Sequence, residues 1–295
     1  MKKNICIIGG SGFLGSHVCD ELSKNKDYRV TVFDINKSKF LNKKQKMIIG
    51  NIMNFKLLKK TLKNQDFVFN FSGISQLDLA LNKPSMTAEF NILGLLNILE
   101  ACRLNKVKQF IQASSIYSLS NDGGFYSCSK RAAEDYIREY KKKYNLNYTI
   151  LRYGSLYGPR ADKTNGIFKI INYAIKNNKL LYEGSRLTRR NYISVEDASF
   201  LSVKILNKKF HNKTLILKGR DSIKVLDLLK KLSKILIIDK KKIYFNEKKQ
   251  QLGHYVTNPD PYKIDVGKEL KYEKKINFTK SIEKLVLNIK NKNEK

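Results

Sequence analysis

The chain alternates short apolar runs with longer stretches in which apolar residues recur every three or four positions. Ile5, Cys6, Ile7 and Ile8 form an unbroken apolar run, the mark of a strand covered on both faces. Glycines follow at Gly9, Gly12 and Gly15, and then Leu14, Val18 and Leu22 fall at helical spacing. A second apolar run, Val30 to Phe33, ends on Asp34. The alternation continues with strands predicted at Met47–Ile49, Phe67–Phe71, Val107–Ala113 and Tyr148–Arg152. Helices are predicted over Phe55–Leu62, from near Pro84 to Leu104, and over Phe125–Tyr144. Repeated strand–helix units imply an α/β fold with a doubly wound parallel sheet of Rossmann type. Ligands in such sheets gather at the carboxyl ends of the strands.

Past Arg160 the alternation loosens. Residues 167–178, 225–236 and 281–289 read as helices, and Tyr192–Val195 and Lys213–Leu217 as strands that rejoin the sheet. The expected organisation is a dinucleotide domain over 1–160 that also receives strands from 191–218. A smaller C-terminal α/β substrate lobe takes 161–190 and 219–290, and 291–295 is a frayed charged tail.

The first unit carries a specific chemistry. Gly9 permits the turn, Gly12 lets backbone approach a pyrophosphate, and Gly15 lets the helix lie close to the strand. The pyrophosphate then sits at a helix N-terminus. Asp34, nineteen residues past Gly15, suits the ribose hydroxyls of NAD and repels a 2′-phosphate.

Net charge is +32, yet only ten of the 58 basic residues are arginine, and asparagine is abundant at 28. Lysine with asparagine reads as coding bias giving a solvated basic surface, which still steers anions. A nucleic-acid-binding protein on this scaffold is the lesser alternative. The four cysteines form no CxxC pair and the three histidines are scattered, so neither a disulfide framework nor a metal site is expected. No apolar run reaches 18 residues, so no membrane span is expected, and reduced thiols point to the cytoplasm.

Tyr126 and Lys130 share a helix face four residues apart, and Ser115 ends the preceding strand. Bringing a phenol from about 10 to near 7 takes roughly 4 kcal/mol. An ammonium ~4 Å away supplies that order at an effective dielectric near 20. The expectation is therefore a tyrosinate base tuned by Lys130, with Ser115 holding the substrate oxygen. The spacing recurs at Tyr244 and Lys248, in a charged stretch with no strand-terminal serine, and that copy is set aside.

Together these segments resemble the extended short-chain dehydrogenase/reductase family, in particular its NAD-dependent nucleotide-sugar epimerases and dehydratases. The resemblance rests on GGSGFLG at 9–15, Asp34, NILGLLNILEAC from Asn91, ASS at 113–115, YSCSK at 126–130, LRYGSLYGPR at 151–160 and RNYISVEDA at 190–198. It implies Ser115, Tyr126 and Lys130 as the catalytic triad. It implies NAD contacts from Gly9, Gly12, Phe13, Leu14, Gly15 and Asp34. Further contacts come from Asn51, Ile52, Phe71, Ser72, Gly73, Asn91 and Tyr153, and from Tyr126 and Lys130 themselves. Gln76, Ser115, Tyr117, Ser155 and Arg190 would meet a nucleotide sugar. A homodimer through the helices near 84–104 and 125–144 is also implied.

The chain departs from the pattern at Asn51, where aspartate is usual, and at Tyr153 and Ser155, where proline and asparagine are frequent. Dehydratases of this family place Asp-Glu directly after the catalytic serine or threonine, and decarboxylating members a glutamate at the second position. Here those positions are Ile116 and Tyr117. The expected reaction is therefore C4 epimerisation through a transient 4-keto sugar. An NAD(P)-dependent sugar dehydrogenase, 4-ketosugar reductase or dehydratase, and an idle NAD sensor, stand behind it.

Overall fold

A computed structural model describes residues 2–219, 222–247, 254–256 and 261–262. The helix expected at 281–289, the tail at 291–295 and Lys248 lie outside the described residues. The first strands are β1 (Lys3–Ile8), β2 (Tyr28–Asp34), β3 (Gln45–Ile49), β4 (Phe67–Asn70), β5 (Gln109–Ser115) and β6 (Tyr148–Tyr153). They join β10 (Lys213–Leu217) in one seven-stranded sheet of order β10-β6-β5-β4-β1-β2-β3. Every pairing in it is parallel.

Strand β1 shows why the sheet is buried on both faces. Cys6 and Ile8 enter one core, with Leu58 of α2 (Phe55–Thr61), Ile98 of α5 (Gly94–Leu104) and Ile137 of α6 (Gly124–Tyr144). Ile5 and Ile7 enter the other, with Val18 of α1 (Phe13–Ser23) and Ala198 of α8 (Val195–Lys204). The two-residue period of the strand sends successive side chains to opposite layers.

The remaining strands build two small sheets. Strand β9 (Arg189–Ser194) lies between β7 (Ser155–Tyr157) and β11 (Ser222–Lys224), and β8 (Leu180–Glu183) pairs β12 (Ile243–Asn246). A third core joins Ile170 and Ala174 of α7 (Gly166–Asn177) to Leu180 and to Leu229 of α9 (Val225–Ile235). Only one of the two late strands rejoins the large sheet, contrary to expectation. Strand β10 takes the edge beside β6, with Lys213 opposite Thr149, and β9 pairs β7 instead. A strand pattern states that a segment is extended, while its partner is chosen by contacts distant in sequence.

Two helical details bear on the site. A short helix α3 (Leu77–Asn82) was not expected, because Leu77, Leu79 and Leu81 alternate and show no helical period. The helical run from Pro84 is α4 (Pro84–Ala88), a π-turn over Glu89–Leu93, and α5. Such turns insert a residue into the helix and mark functional positions; this one carries Asn91.

Candidate active site

The carboxyl ends of the sheet open into a cleft of about 1030 Å³. Its floor is the glycine turn. Gly9 has φ +77°, and a Cβ there would meet the carbonyl carbon of Phe71 at 2.6 Å. A Cβ on Gly15 would stand 2.2 Å from the Gly9 carbonyl oxygen, so α1 lies against the turn only because residue 15 has no side chain. No side chain caps α1, which leaves its first amides facing the cleft. At the tip of β2, Asp34 Oδ2 accepts from the Ser11 amide at 3.0 Å and Oδ1 from the Asn36 amide at 3.0 Å. The carboxylate is thereby fixed at the rim.

The cleft brings together all but one of the residues singled out above. Gly9, Gly12, Phe13, Leu14, Gly15 and Asp34 line it. So do Asn51, Ile52, Phe71, Ser72, Gly73 and Tyr153, and on the other side Gln76, Tyr117, Ser155 and Arg190. Ser115, Tyr126 and Lys130 line it between the two groups. Asn91 is the exception. Its Oδ1 accepts from the Ile74 amide at 2.7 Å, and its Nδ2 donates to the Ile74 carbonyl and, at 2.9 Å, to Ser129 Oγ. Its amide group is spent on tying the Gly73–Ile74 loop to α6, so in this structure it positions the site and does not line it. The Tyr153 hydroxyl is likewise engaged, 2.6 Å from Ser202 Oγ, so only its ring is free to face the cleft.

Ser115 closes β5, and a turn of 3₁₀ helix over Ile116–Leu119 follows. Its Oγ accepts from the Tyr117 amide at 3.3 Å, and its carbonyl accepts from Ser118 Oγ at 2.8 Å. Gly123, at φ +91°, lets this turn lie against the start of α6: a Cβ there would stand 2.9 Å from the Tyr117 ring. Tyr126 and Lys130 then rise from the first turns of α6, both buried.

The electrostatics differ from the expectation. Burial pushes the Tyr126 phenol up to about 12, and its hydrogen-bond partner Ser115 pulls it only part of the way back. Burial also lowers the Lys130 ammonium to about 8, with Glu134 opposing. Lys130 Nζ donates to the Ala113 carbonyl at 3.2 Å and lies 5.6 Å from the centre of the Tyr126 ring. At that range, with its proton directed to the backbone, the ammonium does not outweigh the cost of burying a phenolate.

Residues outside the expected set complete the far wall. His254 and Tyr255 line the cleft beside Tyr117. The Tyr117 hydroxyl is 3.4 Å from His254 Nδ1, and the Tyr117 and Tyr255 ring centres are 5.0 Å apart. Burial, followed by the charge of Arg190, lowers the pKa of His254, so it is neutral near pH 7. Arg190 Nη1 donates to the Tyr255 carbonyl at 2.6 Å, and the guanidinium stacks 4.3 Å over the Tyr255 ring. The backbone fastens this late segment at both ends of the wall: Arg189 N donates to Val256 O at 2.7 Å, and Tyr262 N to Leu119 O at 3.0 Å. His254 and Tyr255 carry no local motif, so only tertiary contacts reveal them.

A parallel dinucleotide sheet with a serine, a tyrosine and a lysine converging at its carboxyl end defines an oxidoreductase-type scaffold. The family model described as NAD dependent epimerase/dehydratase family matches residues 5–216, and the chain belongs to that family. Its cofactor is NAD. The dTDP-D-glucose 4,6-dehydratase of Dictyostelium discoideum is 29% identical over 231 residues, covering 66% of this chain and 53% of its own length. A putative UDP-glucose 4-epimerase of Methanocaldococcus jannaschii is 28% identical over 227 residues, 70% of this chain and 74% of its own. The chain thus spans about half of the first relative and three quarters of the second. The crystal structure of the UDP-glucose 4-epimerase of Thermotoga maritima with UDP-glucose superposes with a TM-score of 0.79 at 26% identity, covering 88% of this chain and 90% of that one.

The residues present fit NAD. The cradle that a Cβ at residue 9 or 15 would fill and the fixed Asp34 carboxylate match a pyrophosphate and a ribose diol. Among the described residues no helix is long and apolar enough to cross a membrane, and no cluster of His, Cys, Asp or Glu could hold a metal ion.

Proposed function

We propose that the chain is a nucleotide-sugar 4-epimerase that works through a transient 4-keto sugar. One observation carries the choice of reaction. Ser115, Tyr126 and Lys130 meet on the cleft, and the two positions after Ser115 are Ile116 and Tyr117, the latter turned toward His254. The turn offers no carboxylate where elimination or decarboxylation would need one. The likeness to the Thermotoga maritima epimerase supports the same reading.

Asp34 and the glycine turn would hold the cofactor, and bound NAD supplies reversible hydride acceptance. Tyr126, a neutral phenol without cofactor, would ionise only when the positive charge of bound NAD adds to that of Lys130. As phenolate it would take the proton of the sugar 4-hydroxyl as that carbon is oxidised, and return it when the hydroxyl is restored on the other face. Ser115 holds that oxygen in line with the phenol. Arg190, buried and fixed by the Tyr255 carbonyl, suits a diphosphate, whose oxygens a guanidinium grips in pairs. Lys130, lowered to about 8, keeps its positive charge beside the phenol below that pH.

The test is product analysis with UDP-, GDP-, dTDP- and CDP-sugars on protein purified with its own nucleotide. Inversion at C4 without net nicotinamide reduction is expected. Tyr126→Phe lowers turnover by about 10³-fold or more and leaves bound NAD unchanged. Stoichiometric accumulation of reduced nicotinamide with an oxidised sugar would show a dehydrogenase instead.

A further inference from the structure

Behind the cleft lies a carboxylate that the proposed epimerisation does not use. Glu134 is one turn beyond Lys130 on α6 and is 2% exposed. Its Oε1 accepts from Ser114 Oγ at 2.7 Å, Ser118 Oγ at 2.8 Å and Arg152 Nε at 2.9 Å. Its Oε2 accepts from Arg152 Nη2 and, at 3.0 Å, from Arg138 Nη2. Ser118 lies three residues past Ser115 and Ser114 just before it, and the single Ser118 hydroxyl proton is shared between Glu134 Oε1 and the Ser115 carbonyl, both 2.8 Å from Oγ. One buried carboxylate therefore grips β5, the turn after it, and β6, from the same helix that carries Tyr126 and Lys130.

We propose that Glu134 is a positioning residue for the reaction, bracing the Ser115 turn against α6 so that Ser115 faces Tyr126. The inference rests on the epimerase reading only for its kinetic test. Burying a charge this deeply is costly unless every lone pair is met, and here five donors meet it. Arg152 alone would neutralise the charge. The two serines add nothing to neutrality; what they add is a fixed distance between the Ser115 turn and the helix. A displacement of ~1 Å between reacting groups costs about 10²-fold in rate.

Glu134→Gln and Ser118→Ala are expected to lower kcat roughly 10- to 100-fold, with KM for the sugar nucleotide and bound NAD within about twofold. Arg138→Gln removes a half-exposed partner of the same carboxylate and is expected to leave kcat unchanged. A second readout needs no substrate. In protein labelled with 13C-tyrosine, the Tyr126 signal, assigned by its loss in Tyr126→Phe, reports the phenol's hydrogen bond to Ser115 and shifts in both variants. If Glu134→Gln does not fold, Ser118→Ala decides alone. A folded Ser118→Ala enzyme with unchanged kcat and an unmoved Tyr126 signal overturns the proposal. So does an Arg138→Gln variant as impaired as Glu134→Gln, which would mean that charge balance alone is at stake. Absence of turnover by the unmodified protein on every sugar nucleotide would strike the epimerase reading, and the Tyr126 signal would then decide the brace by itself.

Discussion

Lys130 is the residue whose behaviour the sequence describes least well. A lysine four positions after a tyrosine suggests a simple ion-pair tuning of the phenol. The fold buries both, so desolvation opposes each charge in turn, raising Tyr126 to about 12 and lowering Lys130 to about 8. The ammonium is complete well below pH 8 and is lost as pH rises through that value. If the reaction requires it, kcat/KM of the free enzyme falls above about pH 8, approaching tenfold per pH unit. Lys130→Met is expected to be slow and to lack this limb. A wild-type profile flat from pH 7 to 9.5 would remove the ammonium from the rate-determining step. The same scale shows what motifs conceal. Glu134 sits in plain view after YSCSK, yet only its five hydrogen bonds distinguish it from a surface glutamate.

At the scale of elements, the dinucleotide half was legible because its evidence is local. An apolar run, a glycine turn, a helical period and an acid at a strand tip all fall within residues 3–34, and β1, α1 and β2 lie there. The glycines also set a firm expectation for stability. Gly15→Ala would put a Cβ 2.2 Å from the Gly9 oxygen, a backbone atom that cannot swing aside. The variant is expected to lose about 1–3 kcal/mol or more, read as a lower melting temperature, and to purify without NAD. Retention of both would mean that α1 can withdraw from the turn at little cost. The late strands were less legible, because β9 and β10 carry similar extended patterns and only their neighbours separate them. The π-turn at Glu89–Leu93 was invisible for a related reason: a single inserted residue barely disturbs a helical period.

At the scale of the whole molecule, the charge of +32 acts on substrates before any contact is made. For the sugar nucleotide proposed as substrate, whose diphosphate is anionic, a basic surface would raise the rate of encounter in a way that salt suppresses. Raising ionic strength from about 0.02 to 0.3 M is expected to lower kcat/KM several-fold while kcat holds. Equal loss in both parameters would point to salt acting on the folded protein. The cleft is also assembled from distant parts of the chain. Its cofactor side is finished by residue 153, whereas its far wall waits for His254 and Tyr255, pinned to β9 and to the turn after Ser115. A polypeptide emerging from the ribosome therefore acquires a nucleotide cradle long before the opposite wall of its cleft, and synthesis halted short of residue 254 leaves a holder with one side missing.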